Sequence, residues 1–171
     1  HRCCEERQSE GESFMNEPQA FVRDRTGEAD AQSLAERVRD AMFALDNTAQ
    51  DLGIEVLDIG PGRSRLAMTV QPRMLNGFGI CHGAYITAIA DSAFAYACNA
   101  CNEQTVASGI ALDFLLPGRP GDRLTANARE IRASGRTGLY DIEVFNQHGE
   151  LVAVMRGKSY RMKGRPVMQT E

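Results

Sequence analysis

Residues 76–100 read N-G-F-G-I-C-H-G-A-Y-I-T-A-I-A-D-S-A-F-A-Y-A-C-N-A, the most informative segment of the chain. A glycine-rich loop leads into residues 84–100, which contain no Gly or Pro and are apolar on nearly every helical face. A segment of this kind predicts a long helix that is buried all round. Asp91 is the only charged residue of the segment, so its position requires an explanation.

The segments around this helix have the patterns of an antiparallel sheet. Short runs rich in β-branched and alternating apolar residues are separated by turns that contain Gly, Pro, Ser or Asn. The fold class is therefore α+β, with one long central helix against a curved antiparallel sheet of about six strands. The predicted strands are 54–59, 63–70, 106–115, 123–132, 138–145 and 151–160, and an amphipathic helix is predicted over 31–46.

The composition indicates one domain and excludes several classes of partner. A chain of 171 residues with 43% hydrophobic content can bury one substantial core, which we place in residues 31–163. Residues 1–30 and 164–171 are expected to be flexible. The net charge of −4 is not gathered into a basic block, which argues against nucleic acid. No apolar run is long enough for a membrane span and no signal peptide is apparent, so we expect a cytoplasmic location.

The chemistry is expected where the loop meets the helix. A charged carboxylate among apolar side chains is costly unless it is paired or used, and Asp91 is either a functional group or part of a structural network. The amide of Gly83 lies at the predicted helix start, where backbone N–H groups favour negative charge, and it could donate to an oxyanion. Asn76 and His82 would add polar contacts, although each could equally serve as a turn or cap residue.

The spacing of these groups predicts a site shared between two subunits. Gly83 and Asp91 are eight positions apart, which is about 12 Å along a helix. A single carbonyl group cannot contact both of them within one chain. If both act in one reaction, two such helices must pack antiparallel about a two-fold axis, and dimerisation is then required for catalysis.

Five blocks of sequence, in order, resemble the PaaI-type hot-dog thioesterases of phenylacetic acid degradation. The resemblance implies a homotetrameric acyl-CoA thioesterase with the hot-dog fold, acting on phenylacetyl-CoA and related thioesters. Asp91 then matches the catalytic carboxylate, Gly83 the residue whose amide polarises the thioester, and His82 and Asn76 the loop residues beside it. The blocks are N-G-F-G-I-C-H-G-A (76–84), A-D-S-A-F-A-Y-A-C-N (90–99), A-L-D-F-L-L-P-G-R-P-G-D-R-L-T-A (111–126), G-R-T-G-L-Y-D-I-E-V (135–144) and R-G-K-S-Y (156–160).

The resemblance also directs attention to residues that would contact the substrate. Ala84 stands where the family commonly has a second glycine, and its methyl group could narrow the acyl pocket. Coenzyme A is part of the substrate, so no separate cofactor and no metal are expected. The aromatic candidates for the acyl pocket are Phe78, Phe94 and Tyr96, and the candidates for a basic rim around the phosphates are Arg119, Arg136, Lys158 and Arg161.

Four alternatives stay open from the residues alone. Cys81 beside His82, or Ser92 beside Asp91, could be a nucleophile, although sequence neighbours do not point their side chains at each other. Cys98 and Cys101 form a C-x-x-C pair that could in principle bind metal or do redox work. A hot-dog dehydratase or hydratase would pair His82 with Asp91. A non-catalytic acyl-CoA sensor would use the same pocket to influence a partner.

Overall fold

The computed structural model describes residues 25–169, in which three α-helices and six β-strands follow one another along the chain. The long helix α3 is preceded by a hairpin and followed by four strands, as the sequence predicts, but two helices rather than one come before the hairpin. The helices are α1 (Arg25–Phe43), α2 (Asn47–Leu52) and α3 (Gly83–Asn99). The strands are β1 (Glu55–Gly60), β2 (Arg63–Thr69), β3 (Thr105–Phe114), β4 (Arg123–Ser134), β5 (Thr137–Phe145) and β6 (Leu151–Arg161).

All six strands belong to one sheet with the order β1-β2-β4-β5-β6-β3, and every neighbouring pair is antiparallel. The predicted number and direction of the strands are thus confirmed. Strand β3 lies beside the last strand β6 and forms one edge of the sheet, while β1 forms the other edge. The turn at Gly62 has a φ of 68°, a conformation that glycine adopts without strain.

Helix α3 packs across the sheet and contacts β2 and β4 most extensively. The Ser64 hydroxyl of β2 donates a buried 2.6 Å hydrogen bond to the Ala93 carbonyl, which ties the helix to the sheet. Phe94 lies against Gly157 of β6, where an added Cβ would come within 2.9 Å of its ring. Burying side chains of this size contributes about 1.5–3 kcal/mol each.

The prediction that this helix is buried on every side is wrong for a single protomer. One stripe of α3 is only partly covered, and it holds small or polar residues along with the aspartate. An open stripe on an otherwise buried helix leaves room for a ligand or a second helix. Its members are Ala84, Thr87, Ala88, Asp91, Ser92 and Ala95.

The region before the sheet differs from the sequence prediction in two ways. Helix α1 begins at Arg25, inside the segment 1–30 that was expected to be flexible, and residues 1–24 lie outside the described part of the chain. The end of the predicted helix 31–46 is instead a turn that starts a second helix. Asp46 caps α2 by accepting a 2.9 Å hydrogen bond from the Ala49 amide, and Gly53 ends it with a φ of 66°. An Asp before the helix and a Gly after it are recognisable cap signals.

The start of the tail 164–171 is also held in place rather than loose. The Arg165 carbonyl accepts a 2.8 Å hydrogen bond from the Gln104 amide. The Asn102 side chain accepts a 2.9 Å bond from the Met168 amide and donates a 3.1 Å bond to its carbonyl. Residues 165–168 are therefore fastened to the turn between α3 and β3.

Over residues 25–169, none of the helices combines the length and apolarity that crossing a bilayer requires. The same residues contain no group of three His, Cys, Asp or Glu side chains close enough to hold a metal ion.

Candidate active site

Asn76 organises the loop that precedes α3. Its Oδ1 accepts hydrogen bonds from the amides of Phe78 at 2.9 Å and Ile80 at 3.4 Å. Its own amide donates to the Ile80 carbonyl at 2.8 Å, and Gly79 takes a φ of 73° to close the turn. The Asn76 side chain thereby shapes the loop, as a turn residue does, and holds Phe78 at its tip.

His82 caps the start of α3 and leaves one amide free. Its Nδ1 accepts a 3.1 Å hydrogen bond from the Ala84 amide, and its carbonyl accepts one from the Tyr85 amide at 2.9 Å. Within residues 25–169, the Gly83 N–H has no hydrogen-bond acceptor. A free N–H at a helix start is suited to stabilise a developing oxyanion.

Thr87 lies one turn further along the open stripe of α3. Its hydroxyl donates a 2.9 Å hydrogen bond to the Gly83 carbonyl, so the first turn of the helix is held by a side chain as well as by the backbone. This residue was not identified from the sequence, since a threonine in an alanine-rich helix gives no distinguishing signal.

Asp91 stands two turns after Gly83, partly buried on the same stripe. In the described part of the chain its carboxylate makes neither a hydrogen bond nor an ion pair, and burial raises its pKa above the usual range. Among residues 25–169, the other buried or partly buried carboxylates all have partners. Asp122 accepts bonds from the Arg119 amide and from Gln147, and Asp141 pairs with two arginines.

The aromatic candidates divide between the surface and the core. Phe78 is 90% exposed at the loop tip and can contact a ligand. Phe94 and Tyr96 are buried within the protomer, where Phe94 packs on Tyr140 with 5.2 Å between ring centroids and the Tyr96 hydroxyl lies 3.4 Å from Asp46. Assigning these two residues to the acyl pocket was therefore wrong, because they have no free surface for a substrate.

The four basic candidates do not form one rim in a single chain. Arg119 is exposed in the loop after β3, which is joined to the helix start by a 2.8 Å bond from the Cys81 amide to the Gly118 carbonyl. Arg136, Lys158 and Arg161 lie at the opposite end. There the Arg161 amide bonds to the Arg136 carbonyl at 2.7 Å, and the strand pairing brings Arg161 beside Thr105, just after α3 ends.

Two of these basic side chains at the far end already have partners. Arg161 forms a 3.1 Å ion pair with Glu103. Arg136 donates a 3.0 Å hydrogen bond to the Tyr160 hydroxyl, and its guanidinium carbon lies 6.0 Å from that ring's centroid. Lys158 is exposed on β6.

Cys81 and Cys98 are poorly suited to nucleophilic chemistry. Burial raises the pKa of the Cys81 thiol to about 11, with Asp122 adding to the effect. Burial also raises the pKa of Cys98 to about 12. The thiolate is the reactive form, so both thiols stay protonated and inert near neutral pH.

Phe114 is a second residue that the sequence did not single out. It lies at the end of β3, and a Cβ added to Gly83 would meet the tip of its ring at 2.8 Å. The two residues are 31 positions apart, so only the folded chain brings them together.

Comparisons with known proteins agree with this architecture. The sequence-family model of the thioesterase superfamily matches residues 78–153. The acyl-coenzyme A thioesterase PaaI of Escherichia coli is 46% identical over 124 residues, which are 72% of this chain and 89% of that protein. The solved structure of the E. coli PaaI protein superposes with a TM-score of 0.78 at 43% identity, over 79% of this chain and 98% of that one.

A second solved structure gives the same result. A variant of the phenylacetic acid degradation protein PaaI from Thermus thermophilus superposes with a TM-score of 0.66 at 37% identity, over 68% of this chain and 100% of that one. The identity and the coverage are high enough to assign the family, and the helix and sheet agree with its fold. The chain therefore belongs to the thioesterase superfamily, as a thioester hydrolase of the PaaI type with the hot-dog fold.

Proposed function

We propose that this enzyme hydrolyses acyl-CoA thioesters and that Asp91 is its catalytic carboxylate. The main observation is that the Asp91 side chain is partly buried and has no partner within residues 25–169. The other buried or partly buried carboxylates there, such as Asp122 and Asp141, have partners. A carboxylate kept in such a place at a cost in free energy is typical of a functional site. The E. coli relative, named as an acyl-coenzyme A thioesterase, supports the same substrate class.

The chemistry needs a carboxylate, a water molecule and an oxyanion donor. In one route Asp91 removes a proton from water, whose oxygen adds to the thioester carbonyl; the resulting oxyanion then expels the CoA thiolate and leaves the acid. In the other route Asp91 attacks the carbonyl directly, and water cleaves the resulting mixed anhydride. In both, the Gly83 N–H stabilises the negative oxygen. Thiolate is a good leaving group, so neither route requires a strong acid.

The active site is proposed to lie between two protomers, because Gly83 and Asp91 of one chain are two helical turns apart. The free edge of β3 supports this arrangement. Five of the ten large apolar side chains that are exposed in residues 25–169 lie in or just after this edge strand, and an uncovered apolar edge favours pairing with another chain. They are Val106, Ile110, Phe114, Leu115 and Leu116.

Pairing two β3 edges would also bring the open stripes of the two α3 helices together. In an antiparallel arrangement the start of one helix faces the middle and end of the other. Gly83 would then approach Asp91 of the partner subunit, and Arg119 would approach the partner's Arg136 and Lys158. The split basic residues would thus surround one coenzyme A. The homotetramer implied by the family resemblance would combine two such dimers.

Aromatic acyl groups are the proposed substrates, with (hydroxy)phenylacetyl-CoA as the first candidate. The E. coli and T. thermophilus relatives belong to phenylacetic acid degradation, and the exposed Phe78 offers an aromatic surface in the loop that leads to Gly83. The dehydratase alternative is less well supported, because the E. coli relative is named as a thioesterase. The Nδ1 of His82 already caps α3, which leaves only Nε2 for proton transfer. The cytoplasmic location stays a prediction.

The test measures CoA release, with a thiol reagent, from a panel of aryl and straight-chain acyl-CoA esters. We expect turnover with the highest kcat/KM for phenylacetyl-CoA, and no enoyl product from hydroxyacyl-CoA. The Asp91→Asn variant should bind substrate but release no thiol. Enoyl formation would instead indicate a dehydratase. Undiminished thiol release by Asp91→Asn would contradict its catalytic role, and ligand binding without turnover by the unmodified enzyme would indicate a sensor.

A further inference from the structure

The Gly83 amide has an aromatic ring beside it. A Cβ built on Gly83 would lie 2.8 Å from Cζ of Phe114, 3.2 Å from Cε1 and 3.3 Å from Cε2. The ring therefore points end-on at the Gly83 Cα and occupies the space that any side chain at this position would fill. Glycine at position 83 is what allows the ring to come so close to the free N–H.

The backbone on both sides holds this contact in place. Phe114 pairs with Ala153 of β6, and the next two amides, of Leu115 and Leu116, both donate to the Val152 carbonyl at 2.8 and 3.1 Å. The loop that follows is bonded to the segment carrying Gly83 through the Cys81 amide and the Gly118 carbonyl. The position of the ring relative to the amide is thus set by main-chain hydrogen bonds.

Phe114 is 54% exposed in a single protomer. It belongs to the apolar edge of β3 that is proposed to pair with the partner, but the tip of its ring lies at Gly83, so this part of the ring faces the proposed site. A thioester oxygen that accepts a hydrogen bond from the Gly83 N–H lies about 2.9 Å from the nitrogen. The ring occupies the space beside the Cα of the same residue, so one arm of a thioester bound at this N–H can contact it. The acyl group is the apolar arm of the thioester and the pantetheine arm carries amides, so the acyl arm suits this aromatic surface better.

We propose that Phe114 is a specificity-determining residue, whose ring forms one wall of the acyl site beside the Gly83 amide and favours flat aromatic acyl groups. This inference rests on the proposed function and assigns part of its substrate preference to one side chain. A flat aryl group gains contact with the ring face and edge, whereas an acetyl group is too small to cover it.

The test compares kcat/KM for phenylacetyl-CoA and acetyl-CoA in the full-length enzyme and in Phe114→Ala and Phe114→Leu. We expect the ratio of the two values to fall about tenfold in Phe114→Ala. Phe114→Leu keeps an apolar side chain but has no flat ring. Its ratio should lie between those of the unmodified enzyme and Phe114→Ala. The ratio is independent of how much enzyme is folded or assembled, so a loss of active protein does not obscure the result. Ile131→Ala is the matched control, because this exposed apolar residue lies on β4, and its ratio should be unchanged.

Two outcomes would overturn the inference. An equal fall of kcat/KM for both substrates, which leaves the ratio unchanged, would place Phe114 in folding or assembly rather than in selection. Unchanged kcat/KM values for both substrates would mean that the ring does not contact the acyl group. Both are distinct from failure of the proposed function, in which the unmodified enzyme releases no CoA from any ester of the panel.

Discussion

At the scale of single residues, the environment of Asp91 opposes its charge. Burial raises its pKa, and no cation or hydrogen-bond donor among residues 25–169 lowers it again. Ionised Asp91 therefore costs free energy in the folded state, whereas the unfolded chain solvates it freely. The same arrangement makes the carboxylate more basic and hence more useful for removing a proton from water.

Replacing Asp91 with asparagine should abolish activity and stabilise the fold. Hydrolysis should fall by about 10²–10⁴-fold, because the proton acceptor or nucleophile is lost. The melting temperature at neutral pH should rise by about 2 °C or more, because a partly buried charge is removed. Thiol release and thermal denaturation measure the two effects. Glu143→Gln is the control, because it removes an exposed carboxylate of β5. It should change neither the rate of hydrolysis nor the melting temperature.

The pH dependence follows from the sign of this pKa shift. The folded pKa lies above the unfolded one, so the folded state binds more protons between them and loses stability as pH rises through the folded value. The gain in melting temperature of Asp91→Asn should therefore vanish at low pH and appear as pH rises. The acidic limb of kcat/KM should lie above about 3.9, the usual aspartate value. If Asp91→Asn kept the same gain in melting temperature at low pH, the gain could not come from removing the charge of Asp91.

Two substitutions at Gly83 separate its N–H from its small size. Both Gly83→Ala and Gly83→Pro add a Cβ against the Phe114 ring, but only proline also removes the amide hydrogen. Proline suits the first position of a helix, and His82 already has the extended backbone that precedes proline, with φ −63° and ψ 133°. Gly83→Pro should therefore fold.

The kcat of Gly83→Pro should be about 10²–10³-fold lower than that of Gly83→Ala, because the proline variant lacks one oxyanion donor. Steady-state kinetics on both variants measures this difference. Equal activity of the two variants would exclude the Gly83 amide as the donor.

At the scale of elements, strand β3 combines two tasks. Its inner hydrogen bonds join it to β6, and its end presents Phe114 to Gly83. Its outer edge has no strand beside it in the described chain, yet carries exposed Val106 and Ile110. A protein would aggregate through such an edge unless it were covered, which is why a second copy of the same strand is the expected neighbour.

A lysine in the middle of this edge should separate the subunits. Ile110→Lys places two positive charges near the proposed two-fold axis and should yield monomers, with activity lost because each site needs two chains. Sedimentation velocity measures the state of assembly. Ile131→Lys adds the same charge to an equally exposed isoleucine on β4 and should remain assembled and active. An active Ile110→Lys monomer would refute the shared site.

At the scale of the whole molecule, the two ends of α3 carry different parts of the proposed site. The start has the free amide, Phe78, Phe114 and Arg119, whereas the far end has Arg136 and Lys158. Two-fold symmetry would place the start of each α3 helix beside the far end of the partner's α3 helix. A dimer would then have two complete sites and a monomer none.

Mixing two inactive variants should restore activity. When Asp91→Asn and Gly83→Pro chains are denatured together and refolded in equal amounts, half of the dimers combine one chain of each kind. Each mixed dimer has one site with both groups intact, so about a quarter of the normal activity should return. Thiol release measures the recovery, and each variant refolded alone is the control. No recovery in confirmed mixed dimers would place both groups in one chain.

The main elements and the chemical candidates follow from the sequence because their signals are local. The alternating strands, the alanine-rich helix with its single aspartate and the glycine loop before it are all readable within short windows. The sequence also contains the cap residues of α2, Asp46 and Gly53. A helix of six residues shows too little periodicity to be distinguished from the end of the amphipathic pattern at 31–46.

The tertiary structure decided which groups meet. Which face of α3 is covered depends on where the sheet lies, so only packing shows that Phe94 and Tyr96 belong to the core and that Asp91 lies on the open stripe. Strand order likewise separates Arg119 from Arg161 and brings Phe114 onto Gly83. Periodicity describes neighbours along the chain, whereas these contacts join distant segments, and their geometry is set by the sheet as a whole.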